Sequence, residues 1–464
     1  MPDINLGHFF SPDAVKESYQ RYKAAKTDRY RATRIRIPMG SDGITWQDFE
    51  RNLDKNAANI SRRVLNGSYQ FYPLREVEVE KPDGGTRVLS IASIRDALVQ
   101  RQLYAALYSS AEEMFAKPGL DKVSFAYRRG KSAPYAAHLI WQSFKRGGYG
   151  YAFDADIRKF FDNLNHDQLM DLVEAWIGRE TTAGKLLWRY IRTDRVPYGS
   201  YPHSSGWEKH FMENKPQRVP RQKGVPQGGA LSGLLANLYL HEFDCWVVAE
   251  KAQQSDFRYY RYADDFVMLT HTEEDAYALY EPVRAKLKDL HLDLHPLAGP
   301  ERKTKVSNIA EGELVFLGFH FMADRVRAKP DNIHRFKDRF QEALGKESSL
   351  RSKSHEWDTR LRLAVRWCVN PKILGPEPEQ CEKCGLPTDR RRSWMAFFAS
   401  VISDVDQLRQ LDRWMRQQVC KYFRDHYRVR IGRRELRKAG MRSLVREYYR
   451  QRSAPTEVCS CHPS

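Results

Sequence analysis

Tyr262-Ala263-Asp264-Asp265 decides the reading of this chain. Phe257-Arg-Tyr-Tyr-Arg-Tyr262 upstream is aromatic and β-prone, and Phe266-Val-Met-Leu269 downstream is a short apolar run. Together they predict strand, tight turn, strand, with two adjacent carboxylates at the tip. An Asp-Asp pair can be no more than a solvated turn, because Asp is a common turn residue. It is also a seat for a hard divalent cation, which takes oxygen ligands.

A second acid favours the cation. In Tyr151-Ala-Phe-Asp-Ala-Asp156-Ile157, the apolar Ala152, Phe153 and Ile157 predict a buried strand running into Asp156. A turn should follow, then a helix beginning near Asn165 or His166. With that strand beside the hairpin, Asp156 and Asp264 could share two metal ions, the usual equipment for in-line nucleotidyl transfer. Asp162 and Asp167 read instead as a helix cap or a solvated first turn.

Other stretches make chemical sense alone. Lys81 and Arg87 flank a Pro-Asp-Gly-Gly turn and would project as phosphate-binding cations, or as ordinary surface charges. Gly224-Val-Pro-Gln227-Gly228-Gly229 is a loop entering the helix that starts near Leu234, and its small residues allow close approach to the backbone. Of the adjacent Phe160 and Phe161, one should pack inward while the other lines the site, with Phe161 chosen for the site.

These blocks, in order over 40–325, resemble the bacterial reverse transcriptases of the group II intron lineage. The resemblance rests on Gly43-Ile-Thr45-Trp, Lys81 to Arg87, Ser124-Phe-Ala-Tyr-Arg128, Asp156 to Phe161, Gly224 to Gly229, Tyr262 to Asp265 and Phe316-Leu317-Gly318-Phe319. It implies an α/β (α+β) right-hand polymerase fold with fingers, an antiparallel-sheet palm and a helical thumb. It also implies RNA-directed DNA polymerase activity, with Asp156, Asp264 and Asp265 catalytic and two Mg²⁺ ions held by them and the Ile157 carbonyl; Mn²⁺ could substitute. By the same resemblance Lys81, Arg87, Gln227 and Gly228 bind the dNTP, Phe161 excludes a 2′-hydroxyl, and Leu317, Gly318 and Phe319 grip the primer. Lys303 or Lys305 would protonate pyrophosphate.

The implied partners are an RNA template, a DNA primer or product, and dNTPs. Ser232-Gly233 departs from the Ser-Pro common in intron-encoded members, and should loosen the junction between loop and helix. With no endonuclease constellation evident, that departure tilts the expectation toward a defence-associated, antiphage enzyme copying a partner non-coding RNA. The alternatives are an intron maturase and a non-catalytic RNA-binding scaffold.

Composition agrees with a nucleic-acid partner. The chain has 77 Lys+Arg against 59 Asp+Glu, a net charge of +18 and a pI near 9.5. Such a balance attracts phosphate backbones non-specifically. No long uncharged apolar run and no signal-peptide pattern is evident, so the expectation is a cytoplasmic protein with no membrane partner; oligomerisation is left open.

Five regions are expected: a basic N-terminal extension (1–40), fingers (41–150), palm (151–325), helical thumb (326–440) and basic tail (441–464). Thr193 to Lys223, rich in Pro, Gly, His and Arg, reads as a loop over the template path or a disordered insertion. Val405, Leu408, Leu411, Met415, Val419 and Tyr422 recur at helical spacing and predict an apolar stripe. The seven cysteines argue against a disulfide framework. Cys381-Glu-Lys-Cys384 has metal-knuckle spacing, so a structural Zn²⁺ held with Cys368, or with Cys420, Cys459, Cys461 and His462, stands against plain thiols.

Overall fold

The Leu74–Glu80 and Thr86–Ile91 strands form an antiparallel hairpin in which Val79 faces Arg87 and Glu80 faces Thr86. Its base is buried at Leu74, Arg75 and Glu76 and its far end is exposed, so the hairpin projects from the body and carries Arg87 outward. The computed structural model describes residues 4–28, 31–80, 84–203, 210–211, 213–253, 256–350, 356–375, 380–381, 384, 386–387 and 393–453. Lys81, Cys459, Cys461 and His462 lie outside the described residues.

Two compact units divide the chain. The first comprises Met1–Arg128, Ala155–Val267 and Ala278–Lys305; the second comprises Arg129–Asp154, Met268–Tyr277 and Val306–Ser464. Of the five divisions between them, one falls inside Lys305–Asn308 and two inside the strands Tyr151–Asp156 and Asp265–Thr270. These two strands are neighbours in a four-stranded sheet, ordered Arg258–Tyr262, Asp265–Thr270, Tyr151–Asp156, Lys305–Asn308. The expected strand-turn-strand is present, its connection only Ala263-Asp264, which a tight antiparallel hairpin requires.

In the first unit the Ile94–Phe115 helix starts where Ser93 accepts a hydrogen bond from the Asp96 N–H at 3.3 Å. The His166–Ile177 helix is capped by Asn165, which accepts from the N–H groups of Asp167 and Gln168 at 2.9 and 3.0 Å. The helix Ser232–Gln253 is apolar all round over Leu234, Leu235, Leu238, Tyr239, Leu240 and Phe243, all buried, as a helix through the core must be. Asn237 and Asp244 are buried polar residues on it.

The described residues of Thr193–Lys223 are mainly irregular, as expected of a loop, but they are anchored. Arg195–Val196 pairs in parallel with Leu74-Arg75, and Val196, Tyr201 and Phe211 pack with Met39. Arg75 donates to the Met39 carbonyl at 3.1 Å and to the Tyr201 hydroxyl at 3.2 Å. Its turn-rich composition concealed three apolar anchors too widely spaced to show a period.

In the second unit, helices Pro330–Gly345, Trp357–Ala364 and Val405–Tyr427 enclose an apolar core. Leu408, Leu411, Met415 and Val419 enter it as expected, Val405 and Tyr422 pack against it half-buried, and Phe423 joins them fully buried. Tyr422 and Tyr427 donate to the fully buried Glu347 at 3.1 and 3.0 Å, and Arg360 pairs with the same carboxylate at 2.6 Å. Residues Leu444–Ser453, inside the stretch expected as a tail, form a helix that buries Leu444 and Tyr448 in this core. No helix among the described residues is long and apolar enough to cross a membrane.

Candidate active site

Arg261 supports the hairpin tip from within. Its side chain is 1% exposed, donates through Nε to Asp244 at 2.8 Å, and is also bonded to that carboxylate through Nη2. Its Nη1 donates to Asn237 at 3.1 Å and to the Ala263 carbonyl at 2.9 Å, so the turn itself is tethered to the pair. Tyr259 donates to Asp244 at 2.9 Å. Burial alone would lower the Arg261 guanidinium, and Asp244 more than offsets that. A buried pair of this kind is held by geometry and satisfied hydrogen bonds.

Ala263 takes a φ of +60°, a left-handed value uncommon for a residue with a side chain. This turn presents Asp264. Burial raises the Asp264 carboxyl above the usual range, and the neighbouring Asp156 raises it further, while Arg87 and Arg261 oppose the shift. Asp156 and Arg87 therefore both act on Asp264, in opposite directions. Asp265 opens the following strand and is exposed.

Asp156 ends its strand half-buried, and its carbonyl accepts from the His295 N–H at 3.0 Å while Arg158 N–H donates to Asp293 at 2.8 Å. These bonds flank an antiparallel bridge between Ile157 and Leu294. In such a pair the carbonyl of Ile157 is turned away from Leu294, leaving it for another partner. Lys303 Nζ lies 3.5 Å from the Asp156 carboxylate.

Phe160 and Phe161 differ in burial, Phe160 packing inward. Phe160 is 1% exposed and Phe161 is half-buried, with ring centres 5.3 Å apart. The Phe161 carbonyl accepts from Val225 N–H at 2.8 Å, which ties the aromatic turn to the Gly224–Gly229 loop. In that loop Gln227 donates to Asp162 at 3.1 Å and its carbonyl accepts from Ser90 N–H at 2.8 Å. Gly228 is exposed beside the Ser90 carbonyl. Asp162, in the first turn of the Phe160–Asn163 helix as one of its two expected readings had it, thus also orients Gln227.

The junction after this loop is not loose. Ser232 is buried, bonded to the Tyr190 hydroxyl at 2.8 Å and to the Pro226 carbonyl, and Gly233 lies under the ring of Tyr127. Sequence reasoning missed Tyr127, Arg261 and Asp244. For the last two the signal was present: Asn237 and Asp244 interrupt an otherwise apolar helix face, and Arg261 sits inside an aromatic strand.

In the second unit Leu317 and Gly318, with φ of +52° and +86°, connect strands Val315–Phe316 and Phe319–Phe321. Two successive positive φ values are those of a type I′ hairpin turn, which suits Gly and strains Leu. The Gly318 carbonyl accepts from Asn332 Nδ2 at 3.1 Å and from Lys329 N–H at 2.9 Å. The Phe319 ring is fully buried against Phe397 and Phe398, so it supports the turn from beneath.

Among the described residues no three His, Cys, Asp or Glu side chains are gathered into a ready-made metal cage. For Mg²⁺ this is not an obstacle: it is bound through one or two carboxylates plus substrate phosphates and water. A structural Zn²⁺ needs a closed set of four ligands, and no third ligand joins the cysteines among the described residues. Cys368 is instead buried between Val365 and Val369, and burial pushes its thiol up to about 11. Cys381 is buried with its N–H donating to Leu386 at 2.8 Å, while Cys384 is exposed.

A mixed helix and sheet structure with acids at adjacent strand ends and a projecting hairpin fits a right-hand polymerase fold. The chain belongs to the reverse transcriptase (RNA-dependent DNA polymerase) family, whose profile matches residues 79–321. It is 26% identical over 321 residues to protein YkfC of Escherichia coli (strain K12), spanning 62% of this chain and 77% of that protein. It is 28% identical over 234 residues to the group II intron-encoded protein LtrA of Lactococcus lactis subsp. cremoris, spanning 50% of this chain and 34% of LtrA. A solved structure of apo telomerase from Candida tropicalis, truncated from its C-terminal domain, aligns with a TM-score of 0.42 at 14% identity, over 56% of this chain and 55% of that one.

Proposed function

We propose that this chain extends a primer 3′-hydroxyl with deoxynucleoside triphosphates along an RNA template. The observation that carries the reading is the Asp264 carboxyl, raised by burial and by Asp156, with Arg87 opposing it. Two carboxylates held together without a cation destabilise each other, and divalent ions relieve that repulsion. Asp156, Asp264, Asp265 and the Ile157 carbonyl would hold two Mg²⁺ ions, for which Mn²⁺ could substitute. When bound, the ions would supply positive charge for in-line nucleotidyl transfer.

The chain's own residues do the rest. Arg87, with Lys81, neutralises the triphosphate. Phe161 sets its ring under the sugar and excludes a 2′-hydroxyl, so the product is DNA. Gln227, oriented by Asp162, and Gly228 shape the nucleotide pocket. Lys303, 3.5 Å from Asp156, donates the proton that the leaving pyrophosphate takes up. The Leu317-Gly318 turn, carried on Phe319, steadies the primer.

Primer extension with an RNA template, Mg²⁺ and dNTPs tests this. Wild type should incorporate, and Asp264→Ala with Asp265→Ala should not. Equal incorporation by both proteins would sink the reading. For biological role, a cytoplasmic antiphage enzyme copying a partner non-coding RNA is supported by the Ser232-Gly233 departure, by the lack of an evident endonuclease constellation and by a C-terminal third that diverges from the intron-encoded pattern. An intron-linked role is favoured by the LtrA similarity. Sequencing the RNA and cDNA that co-purify separates the two: intron sequence excludes the first, a single non-intron RNA the second.

A further inference from the structure

Tyr127 combines three features that nothing so far explains. It is 48% exposed while Phe125, Ala126 and Arg128 beside it are 1%, 1% and 5% exposed. Its φ is +58°, a left-handed conformation that strains a bulky residue. Its flanks are clamped: Phe125 N–H donates to the Arg261 carbonyl at 2.9 Å, Asn237 Nδ2 donates to the Ala126 carbonyl at 2.8 Å, and Arg128 donates to the Ser124 carbonyl at 2.9 Å. Arg128 also donates through Nε to Glu112 at 3.1 Å. The surroundings therefore hold an aromatic side chain, at a cost, where glycine would sit without strain.

The ring has a fitted seat. A Cβ added at Gly233 would fall 2.5 Å from ring Cδ1 and 2.8 Å from Cδ2, distances that real contacts do not reach. One face of the ring is thus covered by the start of the Ser232–Gln253 helix, and the ring keeps exposed surface elsewhere. Its surroundings are those of the site: Asp264 and Tyr262 hold the phenol above its ordinary range, after burial, and Arg87 opposes them.

We infer that Tyr127, seated on Gly233, is a further substrate-contacting residue, offering an aromatic face to the nucleotide placed at Asp264. The inference rests on the polymerase reading and adds a contact to it. Strain concentrates where a side chain must be presented in one orientation. A flat ring suits a nucleotide because every base has a π-face.

The test is steady-state primer extension on a primed RNA template, with melting measured in parallel. Tyr127→Gly removes the ring and the φ strain together, so the protein should melt within a few degrees of wild type. Its KM for dNTP should nevertheless rise about tenfold, with a smaller change in kcat. Tyr127→Asn, which tolerates positive φ, should repeat that rise, and Tyr127→Phe should recover most of it. Gly233→Ala, which displaces the ring, should raise KM similarly but add nothing in the Tyr127→Gly background.

If wild type extends the primer while Tyr127→Gly and Tyr127→Asn keep its KM and kcat, the inference is overturned and the polymerase reading stands. A Gly233→Ala effect that persists without the ring would overturn the seat. A wild type that fails to extend removes the polymerase reading, and this inference with it.

Discussion

The molecule contains two hairpin tips built on one backbone device and supported in opposite ways. Ala263-Asp264 in the first unit and Leu317-Gly318 in the second are both two-residue connections, and each forces a residue with a side chain to positive φ. Behind the first tip stands a buried ion pair, Arg261 with Asp244, tied to the Ala263 carbonyl. Behind the second stands a cluster of rings, Phe319 with Phe397 and Phe398 at 5.6 and 5.1 Å between centres. Charge presented by the first tip needs polar support that sets direction. The second presents shape, for which packed rings suffice.

The largest expected effect separates the tips by chemistry. On the proposed mechanism Asp264→Asn should lower incorporation by at least about a thousandfold, since losing a proposed metal ligand would remove several kcal/mol of transition-state stabilisation. The same variant should melt a few degrees higher in metal-free buffer at neutral pH. The sign follows from linkage: the folded carboxyl is raised above its unfolded value, so the ionised form is penalised and stability is lost as pH rises through that interval. A lower melting temperature would break the view of Asp264 as a carboxylate held against its preference.

Next come the supports. Arg261→Met should cost about 3–5 kcal/mol by leaving Asp244 buried without its cation. Adding Asp244→Leu should restore most of that stability, measured by urea unfolding, but not activity, because the tether to Ala263 stays lost. Phe319→Ala should cost about 3–5 kcal/mol as well, through a cavity. No second-site change of charge at the aromatic support should recover it. If the double variant at Arg261 and Asp244 regained full incorporation, the polar support would be stability alone.

The smallest effects concern the device the tips share. Ala263→Gly and Leu317→Gly should each alter stability by no more than about 1 kcal/mol, because relief of positive φ offsets the extra freedom glycine gives the unfolded chain. Chemical denaturation of the two variants side by side reads the difference. A large loss at either tip would mean its side chain packs for stability.

What could be read without coordinates was whatever local pattern controls. The strand-turn-strand around Ala263-Asp264, the buried strand into Asp156, the helix start at Asn165 and the division of Phe160 from Phe161 all follow from periodicity and capping over a few residues. The anchors at Val196, Tyr201 and Phe211, the full burial of Phe423 beside Tyr422 and the burial of Leu444 and Tyr448 did not, because each depends on a partner far along the chain.

The sequence by itself determined the family of chemistry: which acids, cations and rings are available, and on which elements they ride. Only the tertiary structure decided how they are held. Arg261 meets Asp244, and Tyr127 meets Gly233, through helix Ser232–Gln253 packing against segments distant in sequence. The physical reason is that a periodic pattern states which face of an element will be buried, whereas the side chain that meets that face is chosen by long-range packing and the satisfaction of buried polar groups.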